Sequence, residues 1–196
     1  MPNWCENYLT IKTEDKGYLQ MLYNKLRGDF DYLGRVYTEV EFLQVLRPVP
    51  AGETTWYNWN GEGEVTKTLD GEWDWDWCVT HWGTKWDIQC NNATLVDNVL
   101  EVSFDSAWSP PVEALQYAAE RNNFVFSLLY HEGGMMYVGH ATEYKDDCHN
   151  YTYKKHPENE VPDYLLYEFP CIEEDYKYYL AEKEESEDDN LCAAIA

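Results

Sequence analysis

Positive charge is scarce in this chain. Its 196 residues hold 14 Lys and Arg against 37 Asp and Glu, a formal net charge of -23. That balance leaves no basic patch able to replace the counterions of DNA or RNA, and it opposes anionic lipid and acidic substrates. Long apolar runs are missing too. No stretch approaches the ~18 residues of a membrane span, and Pro2, Asn3 and Glu6 interrupt the start where a secretory leader would need an apolar core. The expectation is a cytoplasmic protein that touches neither membrane nor nucleic acid directly.

Clustered cysteines are also absent. Cys5, Cys78, Cys90, Cys148, Cys171 and Cys192 are widely and irregularly spaced, which argues against an iron–sulfur cluster and for reduced thiols. Cys78-x-x-His81 is half a zinc site, but Cys148, His149 and His156 are awkwardly spaced to complete it. There is no phosphate-cradling glycine loop. His81 near Cys78, and His131 beside Glu132, are the only local hints of a nucleophile with its base. No catalytic residue, metal or cofactor is expected.

Aromatic rings are what the chain has in quantity: 9 Trp and 17 Tyr among 196 residues. Such rings stabilise a core strongly but need partners for their N–H and O–H groups. Asn7 to Lys12 alternates polar and apolar, as a half-buried strand does. Leu19, Leu22, Tyr23 and Leu26 then mark one helix face, with Gly28 placed as its C-terminal cap. Thr38 and Glu41 read as a capping box before a short helix through Phe42, Val45 and Leu46, stopped by Pro48 and Pro50. Residues 48–77 read as an insertion without sustained periodicity. Within it, Trp73, Trp75 and Trp77 alternate with Asp74 and Asp76. In a strand the three rings would share one face, as a cover for the core or an aromatic ligand wall.

Val99 to Phe104 predicts a strand. Ser109, Pro110 and Pro111 predict a helix start with Ser as N-cap, and Asn122-Asn123 its end. Phe124 to Tyr130 and Met135 to Tyr144 predict a hairpin, turning on His131-Glu132-Gly133-Gly134 with positive φ at the glycines. The order β-α-(insertion)-β-α-β-β fits an α+β domain over 1–145: an antiparallel sheet with helices packed on one face. Residues 146–196 read as an acidic, Tyr-rich extension. Residues 158–190 carry 13 acidic residues and two Lys. There Tyr164, Leu165 and Tyr167, then Tyr176, Tyr179 and Leu180, predict short amphipathic helices on the domain. The run Glu184 to Asp189 is expected to be frayed.

Four sequence words carry a resemblance. They are Met1-Pro2-Asn3-Trp4-Cys5-Glu6-Asn7; Trp82-Gly83-Thr84-Lys85-Trp86-Asp87; Phe104-Asp105-Ser106-Ala107-Trp108-Ser109-Pro110-Pro111; and Tyr130, Glu132, Gly133 with Gly139. In this order, over roughly 1–145, they resemble the YubB-like ferredoxin-like family of bacteriophages and conjugative plasmids. The resemblance implies the ferredoxin-like fold and a mobile-element setting, but no defined activity.

The words also have a physical reading. Trp4 is expected to plug one end of the core. Lys85, between Trp82 and Trp86, is expected to lie over an indole face and to pair with Asp87 or hold an anion. Two functional expectations follow. The first is a non-enzymatic acidic binding protein that antagonises a basic host protein, such as a nuclease or DNA-binding defence protein, through Glu173, Glu174, Asp175, Glu182, Glu184 and Glu185. The second is a small-ligand or nucleotide site, or an enzyme, using a pocket of Asn3, Trp4, Trp82, Lys85, Trp86, Asp87 and Trp108. A free sheet edge would allow a homodimer.

Overall fold

A computed structural model describes residues 3–27, 41–61 and 63–195, with side chains through Glu184. Met1, Pro2, Gly28 and Thr38, and the side chains of Glu185 and Cys192, lie outside the described residues. In β1 (Trp4–Lys12) the residues Cys5, Asn7, Leu9 and Ile11 are all buried, the strict alternation of a strand with one covered face. Helix α1 (Lys16–Arg27) buries Leu19, Leu22 and Leu26 at the expected three- and four-residue spacing. A short α2 (Phe42–Leu46) buries Phe42, Leu43 and Leu46 and ends before Pro48.

The insertion is more ordered than its composition suggests. Strands β2 (Ala51–Tyr57) and β3 (Glu64–Asp70) pair antiparallel as a separate two-stranded ribbon. Trp56 and Leu69 anchor that ribbon in the core, at 7% exposure each. The alternating Trp/Asp segment is not a strand. Asp74 accepts the amide N–H of Trp77 at 2.9 Å and so caps α3 (Trp75–His81). The three rings therefore fan out around a helix turn: Trp77 is buried, whereas Trp73 and Trp75 stay exposed. Lys67 of β3 pairs with Asp74 and Asp76, tying ribbon to helix.

Strand β4 (Gln89–Val96) was not foreseen. It is followed by β5 (Val99–Ala107), α4 (Val112–Asn122), β6 (Val125–Glu132) and β7 (Tyr137–Thr142). Asn123 takes the left-handed conformation that ends α4, as expected. Ser109 does not cap that helix: Pro111 occupies the cap position, and the Ser109 hydroxyl turns to the Gly83 carbonyl instead. In the β6–β7 turn the positive φ falls on Met136, not on Gly133 or Gly134. His131 and Glu132 belong to β6.

The six-stranded sheet has the order β4-β5-β1-β6-β7-β8, every neighbour antiparallel. Its β4-β5-β1-β6 part is the split βαβ arrangement, in which α1 and α4 return over the same face. The core lies between that face and α1, α2 and α4. The sheet does not stop at 145. Strand β8 (Asp146–Asn150) pairs with β7, so the expected boundary falls between two bonded strands.

The extension covers part of the opposite face. After a 3₁₀ turn at Pro157–Asn159 come α5 (Asp163–Glu168) and α6 (Cys171–Ile195). Val138, Tyr151, Val161, Leu165, Leu166, Phe169 and Ile172 form a second buried cluster there. Leu165 faces the domain as expected, joined by Leu166, and Tyr176 and Tyr179 pack on Tyr153, whereas Tyr164, Tyr167 and Leu180 are exposed. Helix α6 runs as helix through 184–189 rather than fraying.

His131 joins this cluster to the sheet. One ring nitrogen lies 2.8 Å from the Tyr151 hydroxyl and the other 3.7 Å from the Cys171 thiol, and Phe169 packs on the ring at 5.4 Å. Burial pulls the imidazole below its ordinary range, with Glu6, Asp175 and Glu132 partly opposing. A base whose folded value is depressed stabilises the fold above about pH 6.5, and that contribution is lost as pH falls through the folded value. Acidification below about pH 6.5 should therefore loosen α5 and the start of α6 before the sheet. Amide hydrogen exchange over 161–172, corrected for intrinsic rates, is expected to speed up selectively. Unchanged selectivity, or the same response in His131→Phe, would contradict this.

Candidate functional site

The four words converge at one end of the sheet, where β1 begins, β5 ends and β6 turns into β7. Asn7 is fully buried, and its side-chain amide donates to the Cys5 carbonyl at 2.6 Å and to the Ser106 hydroxyl at 2.9 Å. Ser106 passes the chain on, donating to the Ser109 carbonyl at 2.8 Å. The Ser109 hydroxyl donates to the Gly83 carbonyl, and Thr84 donates to the Ala107 carbonyl at 2.8 Å. The loop after α3 is thus clamped to the loop after β5 entirely by polar side chains. Asn3 lies against Gly134, and its carbonyl accepts the Trp108 amide at 3.0 Å. Glu132, 1% exposed, accepts the amides of Gly134 and Met135 at 2.9 and 2.6 Å. Gly139 lies opposite Tyr130, whose ring occupies the space a side chain there would need.

Beside this knot lies a cleft of about 670 Å³. Trp59 comes from the ribbon turn, and Trp75 and Val79 from one face of α3, four residues apart. Gly83 and Lys85 come from the following loop, Ala107, Trp108 and Ser109 from the end of β5, and Glu113 from the first turn of α4. Trp59, Trp75 and Trp108 are 59%, 43% and 48% exposed, so large indole faces stand open to solvent. Trp108 has φ +75°, a costly backbone for a bulky residue. It is held by Asn3 on its amide and by the Tyr137 hydroxyl, 2.6 Å from its carbonyl.

Glu113 reaches solvent at the mouth, yet protein crowds it enough that desolvation raises its carboxyl; its own amide opposes this, Asp146 adds to it and Arg47 offsets it slightly. Gly83 has φ +83°, and a side chain there would overlap the Glu113 carboxylate and come within 2.9 Å of the Pro110 carbonyl. Gly83→Ala is expected to cost more than 1 kcal/mol of stability and to displace Glu113. Denaturant unfolding and the chemical shift of the Glu113 carboxyl carbon would show both, whereas a silent substitution would contradict this geometry.

Of the seven residues expected to line one pocket, Lys85 and Trp108 do. Trp82 is 3% exposed in the core, its indole N–H donating to the Arg47 carbonyl at 2.7 Å. Trp4 does not plug the core. It is 47% exposed, because strand alternation gives the buried face to Cys5 and Asn7. Trp86 lies outside the cleft, with the Lys85 ammonium 4.3 Å from its ring centre, the expected cation–π contact. Asn3 clamps rather than lines. Lys85 and Asp87 do not pair. Asp87 instead caps α2 from 44 residues away, accepting the amides of Leu43 at 2.9 and 3.0 Å and of Gln44 at 3.1 Å. Glu41 makes no capping bond and pairs with Lys25. Trp59, Val79 and Glu113 come from three separate elements that no spacing links, so the sequence does not point to them; Trp75, one ring of the alternating Trp/Asp segment read as a core cover or an aromatic ligand wall, lines the cleft without Trp73 or Trp77.

Burial pushes the Asp87 carboxyl up to about 6, although the amides of Leu43, Gln44, Ile88 and Phe42 favour its charge. A carboxyl raised in the folded state stabilises fully below its unfolded value near 3.8, and that contribution is lost as pH rises through about 6. The stability of the protein relative to Asp87→Asn should therefore fall by about 3 kcal/mol between roughly pH 4 and 6, then level off. Urea titrations across that range measure it, and a flat or rising difference would refute it.

Among the described residues no group of three or more His, Cys, Asp and Glu could hold a metal ion, and no helix is long and apolar enough to cross a membrane. Cys78 is buried inside α3 and burial pushes its thiol up to about 12; the His81 ring bonds back to the Trp77 carbonyl at 2.9 Å. Neither is presented to a ligand.

Fold and sheet order define the class: an α+β domain of ferredoxin-like type, enlarged by a ribbon insertion and a C-terminal extension. Residues 81–169 match the family model for the ferredoxin-like domain in Api92-like protein. That stretch runs from the end of α3 through the second half of the split βαβ unit and β8 to the close of α5. No curated protein and no solved structure matches the chain.

Proposed function

We propose that the protein is a non-enzymatic acidic binding protein that docks on a cationic, DNA-binding protein and occupies the groove that nucleic acid would fill. The observation that carries this reading is the form of α6. Its start is anchored by Ile172 and by Tyr176 and Tyr179 against Tyr153. From Leu180 to Glu184 every described side chain is exposed. Glu174, Asp175, Glu182 and Glu184 face solvent, with Glu173 half-buried. Past that anchor the described side chains leave no covered face, so this stretch of the helix is not built to cover its own domain. At 25 residues it spans roughly 38 Å, and DNA carries one charge per about 1.7 Å of axis. A carboxylate rod on a domain of the same sign gains association rate and orientation from a basic groove. The resemblance to a phage and plasmid family supports a setting in the host cytoplasm, with a defence nuclease as the type of target.

The test is capture on the immobilised protein from host lysate at low salt, with mass spectrometry and duplex DNA as competitor. A DNA-binding protein released both by DNA and by about 0.5 M salt, where screening falls below 5 Å, is the expected result. Removing residues 181–196 should weaken it at least tenfold. Capture of nothing, or only of proteins indifferent to salt and DNA, would overturn the reading. A second reading, small-ligand binding, is favoured by the cleft, but Lys85 already spends its ammonium on Trp86.

A further inference from the structure

We propose that the cleft walled by Trp59, Trp75 and Trp108, with Glu113 at its side, receives an arginine side chain from a basic polypeptide segment. The inference rests on the reading of a cationic protein partner and adds where, and through which chemical group, that partner is gripped. Three open indole faces attract a cation electrostatically, and a planar guanidinium also stacks on them. The Glu113 carboxylate supplies the fork-shaped acceptor that guanidinium matches with two parallel hydrogen bonds. Among the described residues no ion pair reaches Glu113, whose carboxyl takes the amide of its own residue, and Arg47 acts on it only through its field; Arg47 itself donates to the His81 carbonyl at 2.9 Å and stacks on Tyr117 at 4.4 Å.

Two further observations point to an occupant. Trp108 is exposed although its φ of +75° is costly, and hydrogen bonds at both its amide and its carbonyl hold it there. Strain kept at an exposed ring is not explained by packing. The volume, about 670 Å³, exceeds one side chain and suits a short segment of chain around it. An anionic, flat ligand such as a nucleotide fits less well. It would meet the Glu113 carboxylate and a field of -23, with the nearest ammonium already seated on Trp86.

The experiment is calorimetric titration of the full chain with a capped glycine–arginine peptide, the same peptide with citrulline for arginine, and adenosine monophosphate. Citrulline keeps the planar shape but lacks the charge and exchanges one donor NH2 group of the fork for an acceptor oxygen. The arginine peptide is expected to bind at least tenfold tighter than the citrulline peptide. Trp59→Ala and Glu113→Gln should each remove most of that preference. Trp59 sits on an exposed turn, so its replacement leaves the fold intact, and circular dichroism verifies this. Replacing Glu174, Asp175, Glu182 and Glu184 together with Gln should lower affinity at low salt while keeping the arginine preference. Equal binding of the two peptides, wild-type binding by both cleft variants, or preference for the nucleotide would overturn the assignment. Should salt-sensitive partner capture persist in the cleft variants, the cleft assignment alone falls. Should arginine bind in the cleft while no DNA-displaceable partner is captured, the partner reading falls instead.

Discussion

The buried amide of Asn7 is the constraint on which this end of the molecule depends. A polar side chain in the middle of a core is costly unless it is satisfied, and here its satisfaction leads outward from strand to strand to loop. Asn7 bonds Ser106, Ser106 bonds Ser109, and Ser109 bonds Gly83. The first link joins two strands, and the next two reach Ser109 and Gly83, where the backbone has no secondary structure of its own to hold it. The loops bearing Lys85 and Trp108 are therefore tied to each other and to the sheet by side-chain hydrogen bonds on that side of the cleft.

The sequence words that look like a recognition motif are mostly this scaffold. Asn3, Asn7, Thr84, Ser106 and Ser109 tie loops together, and Trp82 and Asp87 fasten α2 and Arg47 to the loop after α3. Arg47 reinforces the same junction, its guanidinium lying 5.8 Å from the Trp77 ring while its carbonyl takes the Trp82 indole N–H. Polar residues in such words are conspicuous because they stabilise irregular backbone, and that does not make them ligands. The side chains left open to solvent are the rings around them.

Much of the fold was legible because one-sided burial writes a period into the chain. The alternation in β1 and the three-four spacing in α1 are direct images of what those elements cover. Strand β4 left no such image. It is an edge strand with Gln89, Asn91, Asn92 and Thr94 outward, and a bulge between Cys90 and Asn92 breaks its alternation. The Trp/Asp segment misled for a different reason: two-residue spacing suggests a strand, but a local cap by Asp74 decided for helix. In the site, the Lys85–Trp86 contact was legible because it is local. Glu113 and Trp59 were not, because only the tertiary fold brings α4 and the ribbon turn to the same opening. Asp87 was assigned to the wrong partner on the same grounds, since its true partner is 44 residues away.

Among the described residues, the ribbon that carries Trp59 exchanges backbone hydrogen bonds within itself and none with the six-stranded sheet. It is fastened by Leu69 near its stem, by the Lys67 ion pairs midway and by Trp56 beside the turn, while Tyr57 and Trp59 stay exposed. Length and side chains at the turn can therefore vary without disturbing the sheet's register. One wall of the opening is an exchangeable jaw on a fixed frame, and a lineage could retune what it grips by rewriting a handful of codons there.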